Sequence, residues 1–287
     1  MNLSLIGSSI LGINILLILF LVFHERRNPS ATWAWVLILT VFPIIGFLIY
    51  LFLGRNLSGE KIFNEKIIRD EKRNVHKHKL TNNYEYHLEA LENKDLIRMH
   101  YKNAHSFYTQ MNNVKLYFHG KEKFDDLFKE INNAKNFIHL EYYIIQCDNL
   151  GKQLIKLLTK KAKEGLEVKL LFDAMGSYKL SKQENKLLKP FSTAGGKFAA
   201  FFPTSFPLIN RRINFRNHRK IVVIDGTVGF LGGFNVGKEY IGENKKIGNW
   251  RDTHIKVKGE AVHDLEVRFL LDWCYRSEER RVGKECL

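Results

Sequence analysis

The sequence is poor in cysteine and has far fewer acidic than basic residues. Its three cysteines, Cys147, Cys274 and Cys286, are widely spaced and odd in number, which excludes a paired metal-ligand motif and argues against a disulfide framework. Lys and Arg total 45 against 30 for Asp and Glu, giving a formal net charge of +15. This imbalance predicts an anionic partner, but charge alone does not choose between nucleic acid and an anionic membrane surface.

The composition also lacks the marks of a disordered or collagen-like chain, because 45% of the 287 residues are hydrophobic and 13% are aromatic. The length fits one large domain or two small ones. Two stretches near the N-terminus contain no charged residue, Leu3 to Phe23 and Trp33 to Leu53, each of 21 residues. Since roughly 20 helical residues cross a bilayer, we predict a two-helix transmembrane anchor over residues 1–55.

The predicted anchor sets the expected location of the protein. A cleavable signal peptide is the alternative for the first stretch, but no basic residue precedes it and a second apolar stretch follows at once. Basic residues are more numerous just after residue 55 than in the loop at residues 24–31. They favour a multi-pass protein of the cell membrane whose large domain lies in the cytoplasm.

Beyond the anchor, the sequence divides into a connector and a body. Residues 56–108 are rich in Lys, Glu, Asn and His and predict a basic juxtamembrane connector. The body, residues 109–275, alternates helical and strand patterns before a looser region at residues 176–216. The predicted order is helix 124–134, strand 137–145, helix 150–164 and strand 166–172. This order predicts parallel pairing, and therefore an α/β fold with a β-sheet covered by helices.

Residues 217–237 carry the strongest chemical signal in the body. The predicted elements are a strand from His218 to Ile224, a tight turn at Asp225-Gly226 and a return strand from Val228 to Leu231. Because side chains alternate along a strand, His218 and Lys220 should lie on one side and Arg219 on the other. The hairpin would thus hold an imidazole beside a fixed cation.

Such a pair suits attack on a phosphodiester without a metal ion, since imidazole is nucleophilic near neutral pH and an ammonium group neutralises phosphate oxygens. Gly232-Gly233 allows close approach of backbone, and Asn235 offers an amide nearby. The alternative is a surface strand with an incidental His and Lys. The same H-x-K-x4-D spacing also occurs at His119, Lys121 and Asp126. That match begins a polar helix without a buried strand, and we interpret it as incidental.

Four motifs follow one another along the chain. They are the loop Glu25 to Pro29 with Trp33-Ala34-Trp35, the strand His139-Leu140-Glu141-Tyr142-Tyr143, the block Asn217 to Asn235, and Trp250-Arg251-Asp252-Thr253-His254. In this order they resemble the phospholipase D superfamily, and within it the bacterial membrane-bound cardiolipin synthases. The resemblance implies that His218 belongs to a catalytic pair, with one His from each of two HKD motifs. It also implies that Lys220 and Asn235 hold the phosphate and that Asp225 supports the motif.

The implied reaction is phosphatidyl transfer, in which two phosphatidylglycerol molecules give cardiolipin and glycerol through a phosphatidyl-histidine. It needs no cofactor or metal ion, and nucleic acid is not expected as a partner. Gly233, Arg219 and Arg251 are further candidate substrate-binding residues, although Arg251 fits an ordinary ion pair with Asp252 equally well. Two other classes stay open: a phospholipase D-like phosphodiesterase or nuclease, and a non-catalytic membrane-associated binding protein.

The end of the chain departs from the pattern of the family. Members of this type carry a second lobe with a second H-x-K motif, and no such lobe follows Trp273. Residues 276–287 resemble the translation of a sequencing adapter, so we expect a truncated gene with a non-native tail after a first lobe at residues 109–275. Activity would then need the missing second lobe or a homodimer, and the chain alone is expected to be inactive or very weak.

Overall fold

The computed structural model describes residues 3–23, 29–50, 91–104, 106–182, 184–202 and 216–278. The chain separates into two compact units. The N-terminal unit comprises residues 1–68 and 206–215, and the sheet unit comprises residues 69–205 and 216–287. Most of the predicted connector and the end of the predicted tail lie outside the described residues.

The described residues of the N-terminal unit form the helices α1 (Leu3–Phe23), α2 (Pro29–Val41) and α3 (Pro43–Ile49). The second charge-free stretch divides at Pro43, because proline has no N–H to donate and its ring clashes with the preceding turn. The Asn14 side chain, 3% exposed, donates to the carbonyl of Pro43 at 2.9 Å. Leu21, Leu39 and Tyr50 form a small buried cluster within the unit.

The prediction of two transmembrane helices, and with it the multi-pass topology, is wrong. No helix within the described ranges combines the length and the apolar character that crossing a membrane requires. The second stretch gives helices of 13 and 7 residues, against roughly 20 for a span.

The sheet unit has a mixed α/β fold around a seven-stranded sheet. Its strands are β1 (Asn112–His119), β2 (Phe137–Tyr142), β3 (Glu167–Asp173), β4 (Lys197–Phe201), β5 (Ile221–Ile224), β6 (Val228–Gly232) and β7 (Arg251–Gly259). Its helices are α4 (Lys94–Ala104), α5 (Gly120–Asn133), α6 (Asn149–Lys163), α7 (Tyr178–Lys182), α8 (Lys189–Thr193) and α9 (Val262–Glu278), with a π-helical turn at Glu184–Leu188.

The strand order is β1-β7-β6-β5-β2-β3-β4. The predicted parallel pairing of β2 with β3 is confirmed. Helix α6 forms the crossover connection that two parallel neighbouring strands require. The predicted hairpin is also present, with β5 and β6 antiparallel across Asp225-Gly226. Both turn residues have positive φ, 53° and 66°, as a two-residue hairpin turn requires. However, β5 begins at Ile221, three residues later than predicted, and β4 was not predicted at all.

Alternate residues of the central strands feed two cores on opposite faces of the sheet. Leu170 and Val222 pack with α5 and α6, whereas Leu171 packs with Phe269 and Trp273 of α9. Burial on both faces explains the near-continuous apolar sequence of β3 and β5. The two layers leave the residues just before β5 on a rigid base.

Candidate active site

His218 and Lys220 lie together immediately before β5. The Lys220 ammonium is 2.9 Å from Nδ1 of His218 and donates to the His218 carbonyl at 2.6 Å. His218 is exposed, whereas Lys220 is only 4% exposed and is continuous with the four buried residues of β5. The segment is therefore not a strand at this point, yet it presents an accessible imidazole beside a fixed cation.

The charges of this pair are set by burial and by each other. Burial lowers the pKa of His218, and the neighbouring Lys220 lowers it further, while Asp173 opposes the shift. Burial lowers the pKa of Lys220 to about 8, against a weaker opposing effect of Asp252. Near pH 7 the imidazole is thus mainly neutral and the lysine mainly charged. Because an ammonium can only donate, the imidazole proton then lies on Nε2.

Tyr143 follows directly after β2 and covers the pair. Its ring centroid is 4.3 Å from that of His218 and 5.3 Å from the Lys220 nitrogen. Gly176 makes room for it, since a Cβ there would lie 2.9 Å from the tyrosine ring. Sequence reasoning assigned Tyr143 no role. Its position after a predicted parallel strand was the available signal, because such strand ends face ligand sites.

Asn235 and Gly233 lie on the segment after β6. Asn235 is 5% exposed, accepts from the Ile144 N–H at 3.0 Å and donates to the Tyr240 hydroxyl at 3.1 Å. Gly233 donates its N–H to the Thr253 carbonyl at 2.9 Å. A Cβ at Gly233 would come within 2.0 Å of the Asp252 carboxylate, so a larger residue here would require that side chain to move.

The two candidate arginines point elsewhere. Arg219 forms an ion pair with the fully buried Asp272 of α9 at 2.8 Å, on the face of the sheet opposite to α5 and α6. Arg251 lies over the ring of Phe118, with 5.2 Å from its guanidinium carbon to the ring centroid. The structure thus brings His218 and Lys220 together, holds Asn235 on the backbone of Ile144, the residue after Tyr143, and directs Arg219 away from the pair.

Three buried polar residues that sequence reasoning missed hold the backbone before His218. Asn217 donates its side-chain amide to Glu141 and accepts from the Arg219 N–H at 3.2 Å. Its own N–H donates to Asp173 at 3.1 Å. Glu141 and Asp173 are 1% and 0% exposed, so both carboxylates act inside the protein. A charged residue within an otherwise apolar strand, as at Glu141, was the signal for such a contact.

A second imidazole, His254 of β7, lies near Lys220. It is 1% exposed, and within the described part of the chain neither ring nitrogen has a hydrogen-bond partner. Burial lowers its pKa to about 2, helped by the charges of Lys123 and Lys220. A neutral, enclosed imidazole of this kind cannot serve as a proton donor at neutral pH.

Asp225 lies at the opposite end of β5 from His218. Its carboxylate accepts from the backbone N–H groups of Lys135 and Asn136 at 2.8 Å and of Phe137 at 2.9 Å. Burial raises its pKa, but these three bonds outweigh that effect and hold it below its ordinary value. The geometry gives Asp225 the task of tying the hairpin turn to the start of β2.

We predict that Asp225→Ala lowers the free energy of unfolding by about 1.5–3 kcal/mol, because backbone donors lose a charged acceptor. Asp225→Asn, which keeps an acceptor oxygen and tolerates the positive φ, should lose less than half as much. A carboxylate with a depressed pKa stabilises the fold above its unfolded pKa of about 3.9 and loses this contribution as the pH falls through the folded value. Urea unfolding from pH 7 to pH 3 should therefore show the alanine deficit shrinking in acid, and a constant deficit would contradict this assignment.

The second H-x-K-x4-D match has a different geometry. His119 ends β1 and precedes α5, and both His119 and Lys121 are exposed. Asp126 accepts from the Tyr117 hydroxyl and pairs with Lys256 at 3.0 Å. Within the described ranges, no group of three or more His, Cys, Asp or Glu side chains is placed to hold a metal ion.

Several known proteins are similar in sequence to this chain over most of its length. Residues 127–273 match the family described as "Cardiolipin synthase, PLD-like domain", and residues 12–55 match "Phospholipase_D-nuclease N-terminal". A cardiolipin synthase of Clostridium perfringens strain SM101 is 51% identical over 88% of this chain and 52% of its own length. Cardiolipin synthase 2 of Staphylococcus epidermidis strain RP62A is 45% identical over 96% of this chain and 57% of its own.

The chain spans about half the length of the curated relatives it matches. Among solved structures, NucT from Helicobacter pylori has 13% identity and a TM-score of 0.43, covering 57% of this chain and 98% of its own. The family match includes the His218 and Lys220 pair, Asn235 and the Trp250 to His254 motif. The chain therefore belongs to the cardiolipin synthase family and carries its phospholipase D-like domain.

Proposed function

We propose that the chain takes part in phosphatidyl transfer, with His218 as a reacting imidazole and Lys220 as the cation that holds the phosphate. The observation that supports this most directly is the 2.9 Å contact between an exposed imidazole and a buried ammonium on a rigid base. A phosphate oxygen that accepts from Lys220 would replace Nδ1 as its partner. The developing negative charge would then be neutralised without a metal ion.

The proposed reaction has two displacements at phosphorus. In the first, an imidazole nitrogen attacks phosphatidylglycerol, the phosphorus–oxygen bond to the terminal glycerol breaks, and a general acid protonates the departing glycerol oxygen. In the second, a hydroxyl of another phosphatidylglycerol attacks the phosphorus and gives its proton back to the group that protonated glycerol, and the phosphorus–nitrogen bond breaks. Cardiolipin and glycerol are the products, and the imidazole is regenerated.

Nucleophile and general acid must be separate groups in the first displacement, so the proposal requires two imidazoles. His254 does not fit the second role, because it is buried and its pKa is lowered to about 2. We therefore propose that the second imidazole comes from a further domain or from a second copy of the chain. His218 would serve as nucleophile or as general acid within that pair.

The substrate assigns the reaction to a membrane surface. Phosphatidylglycerol is anionic and lies in a bilayer, and the formal net charge of +15 favours binding to such a surface. This association is proposed from charge and substrate, and it does not require a membrane-spanning helix.

The proposed function is tested by incubating phosphatidylglycerol vesicles with the chain together with the further domain or second copy that is proposed to supply the other imidazole. Mass spectrometry of the lipids should show cardiolipin with loss of phosphatidylglycerol, and peptide analysis of the acid-labile adduct should locate a phosphatidyl group on histidine. Accumulation of phosphatidic acid would instead assign a hydrolase. Cleavage of single-stranded DNA or RNA without any lipid product would assign a nuclease.

The pH dependence should follow Lys220. Because its pKa is lowered to about 8, the ammonium that holds the phosphate is present below pH 8 and is lost as the pH rises through that value. We expect KM for phosphatidylglycerol to rise about tenfold for each pH unit above 8. Lys220→Arg, which stays charged, should flatten this rise even if its kcat is lower. An equally steep rise in the arginine variant would assign the pH dependence to another group.

A further inference from the structure

Residues 242–251, which form the loop after Ile241 and the first residue of β7, combine exposed apolar and basic side chains. Ile247 is 49% exposed and Trp250 is 36% exposed. Three exposed cations lie beside them, Lys245, Lys246 and Arg251. Indole rings favour the boundary between headgroups and acyl chains, and lysine and arginine favour anionic headgroups. The loop thus has the side chains of a membrane-contact segment.

The loop is structured at its tip. The N–H groups of Ile247 and Gly248 donate to the Asn244 carbonyl at 3.0 and 2.9 Å, and Lys246 N–H donates to the Asn244 side chain at 3.1 Å. Gly242 and Gly248 have positive φ of 79° and 74°, which fixes the bends on both sides. Ile247 is therefore held at an exposed turn at little further cost in conformational entropy.

The loop is also joined to the residues around His218. The Trp250 ring packs edge to face on Tyr240 at 5.1 Å, and the Tyr240 hydroxyl accepts from Asn235 at 3.1 Å. Arg251 lies on Phe118, and the next residue, Asp252, approaches Gly233. A group that binds the loop would consequently be held close to the proposed phosphate site.

We infer that the 242–251 loop docks the sheet unit onto an anionic phospholipid bilayer, with Ile247 and Trp250 entering the headgroup boundary and Lys245, Lys246 and Arg251 contacting phosphates. This rests on the proposed function to the extent that the substrate lies in the bilayer. Charge complementarity identifies the occupant, since each basic side chain near an anionic surface strengthens binding about fivefold. Docking would bring the lipid phosphate to His218 without drawing the lipid out of the membrane.

Helix α6 offers a matched surface that is basic but not apolar. Lys152 and Lys156 are exposed on it, and no large apolar side chain of this helix is exposed. Helix α4 offers a second comparison, because like the loop it exposes an apolar side chain, Met99 (48%), along with basic residues. These two helices supply the control positions for a direct test.

The test places one environment-sensitive fluorophore at a time in a chain without native cysteines (Cys147→Ser, Cys274→Ala, Cys286→Ser). Ile247→Cys, Lys156→Cys and Met99→Cys give the three labelled forms, which are mixed with vesicles of phosphatidylglycerol, phosphatidylserine or phosphatidylcholine. The label at position 247 should brighten several-fold with both anionic lipids and little with phosphatidylcholine. The label at position 156 should stay in water. A water-exposed label at 247, or a response confined to position 99, overturns the inference.

A charge reversal in the native-cysteine chain gives the second measurement. Lys245→Glu/Lys246→Glu and Lys152→Glu/Lys156→Glu lower the net charge equally, but only the first pair lies on the loop. Binding of anionic vesicles, read by flotation, should weaken at least about 25-fold for the loop pair and far less for the helix pair. Equal losses of vesicle binding in the two variants would show that the loop contributes only through the net charge of the chain. If the loop binds vesicles but no phosphatidyl transfer is found, the proposed function is contradicted and the docking inference stands. If transfer is found but both charge-reversal variants lose vesicle binding equally, the docking inference is contradicted and the proposed function stands.

Discussion

His218→Ala is expected to lower cardiolipin formation from phosphatidylglycerol at least about 10³-fold, because the transfer loses a reacting imidazole that no other described group replaces. The neighbouring Lys220 cannot substitute, since its ammonium has no lone pair at neutral pH. His254 cannot substitute either, because it is 1% exposed behind the pair. Product and the histidine adduct should be measured by mass spectrometry after vesicles are incubated with wild-type or variant chain, each together with the further domain or second copy proposed to supply the other imidazole.

The sequence provides a matched control for this variant. His119 has the same H-x-K-x4-D spacing as His218 but lies exposed at the end of β1, without a contact to Lys121 among the described hydrogen bonds. His119→Ala should therefore keep at least half of the wild-type activity, with an unchanged melting temperature. Retention of more than about a tenth of the activity by His218→Ala, or an adduct on another residue, would remove His218 from the reaction.

Local sequence patterns predicted three features of the sheet unit: the crossover helix, the hairpin turn and the pairing of His218 with Lys220. The α6 crossover between β2 and β3 follows from helical periodicity ending at Gly165, where φ is 93°. The hairpin turn follows from Asp225-Gly226, and the joint position of His218 and Lys220 follows from their spacing of two residues. In each case the deciding interaction lies within about thirty residues of chain.

Features set by distant residues could not be predicted in this way. Alternation correctly turned Arg219 away from His218, but its partner Asp272 lies 53 residues further on, in a helix on the other face of the sheet. Composition predicted two membrane spans, yet Pro43 divides the second stretch and Asn14 is used in packing against it. The length of a charge-free stretch alone therefore did not predict where its helix ends.

The buried contact between Asn217 and Glu141 joins residues 76 positions apart, directly before His218. Burial raises the pKa of Glu141 well above its ordinary value, and the nearby Asp272 raises it further. An acid with a raised folded-state pKa contributes stability below its unfolded pKa and loses that contribution as the pH rises through the folded value. The buried Glu141 carboxyl should therefore destabilise the fold progressively as the pH rises above its unfolded pKa of about 4.3, although it continues to position Asn217.

Asn217→Ala should lower the free energy of unfolding by about 2–4 kcal/mol, since Glu141 and the Arg219 N–H both lose a buried partner. It should also lower kcat about 10- to 100-fold with little change in KM, because the turn that orients His218 loosens while Lys220 stays in place. Glu141→Gln keeps the acceptor oxygen for Asn217 and cannot ionise, so it should keep kcat within about twofold. Its stability should exceed that of wild type by a margin that grows from pH 5 to pH 8. Denaturant unfolding at both pH values, combined with kcat and KM, separates an effect on the position of His218 from a general loss of packing. If Glu141→Gln is as slow as Asn217→Ala, the charge of Glu141, rather than its hydrogen bond with Asn217, supports His218.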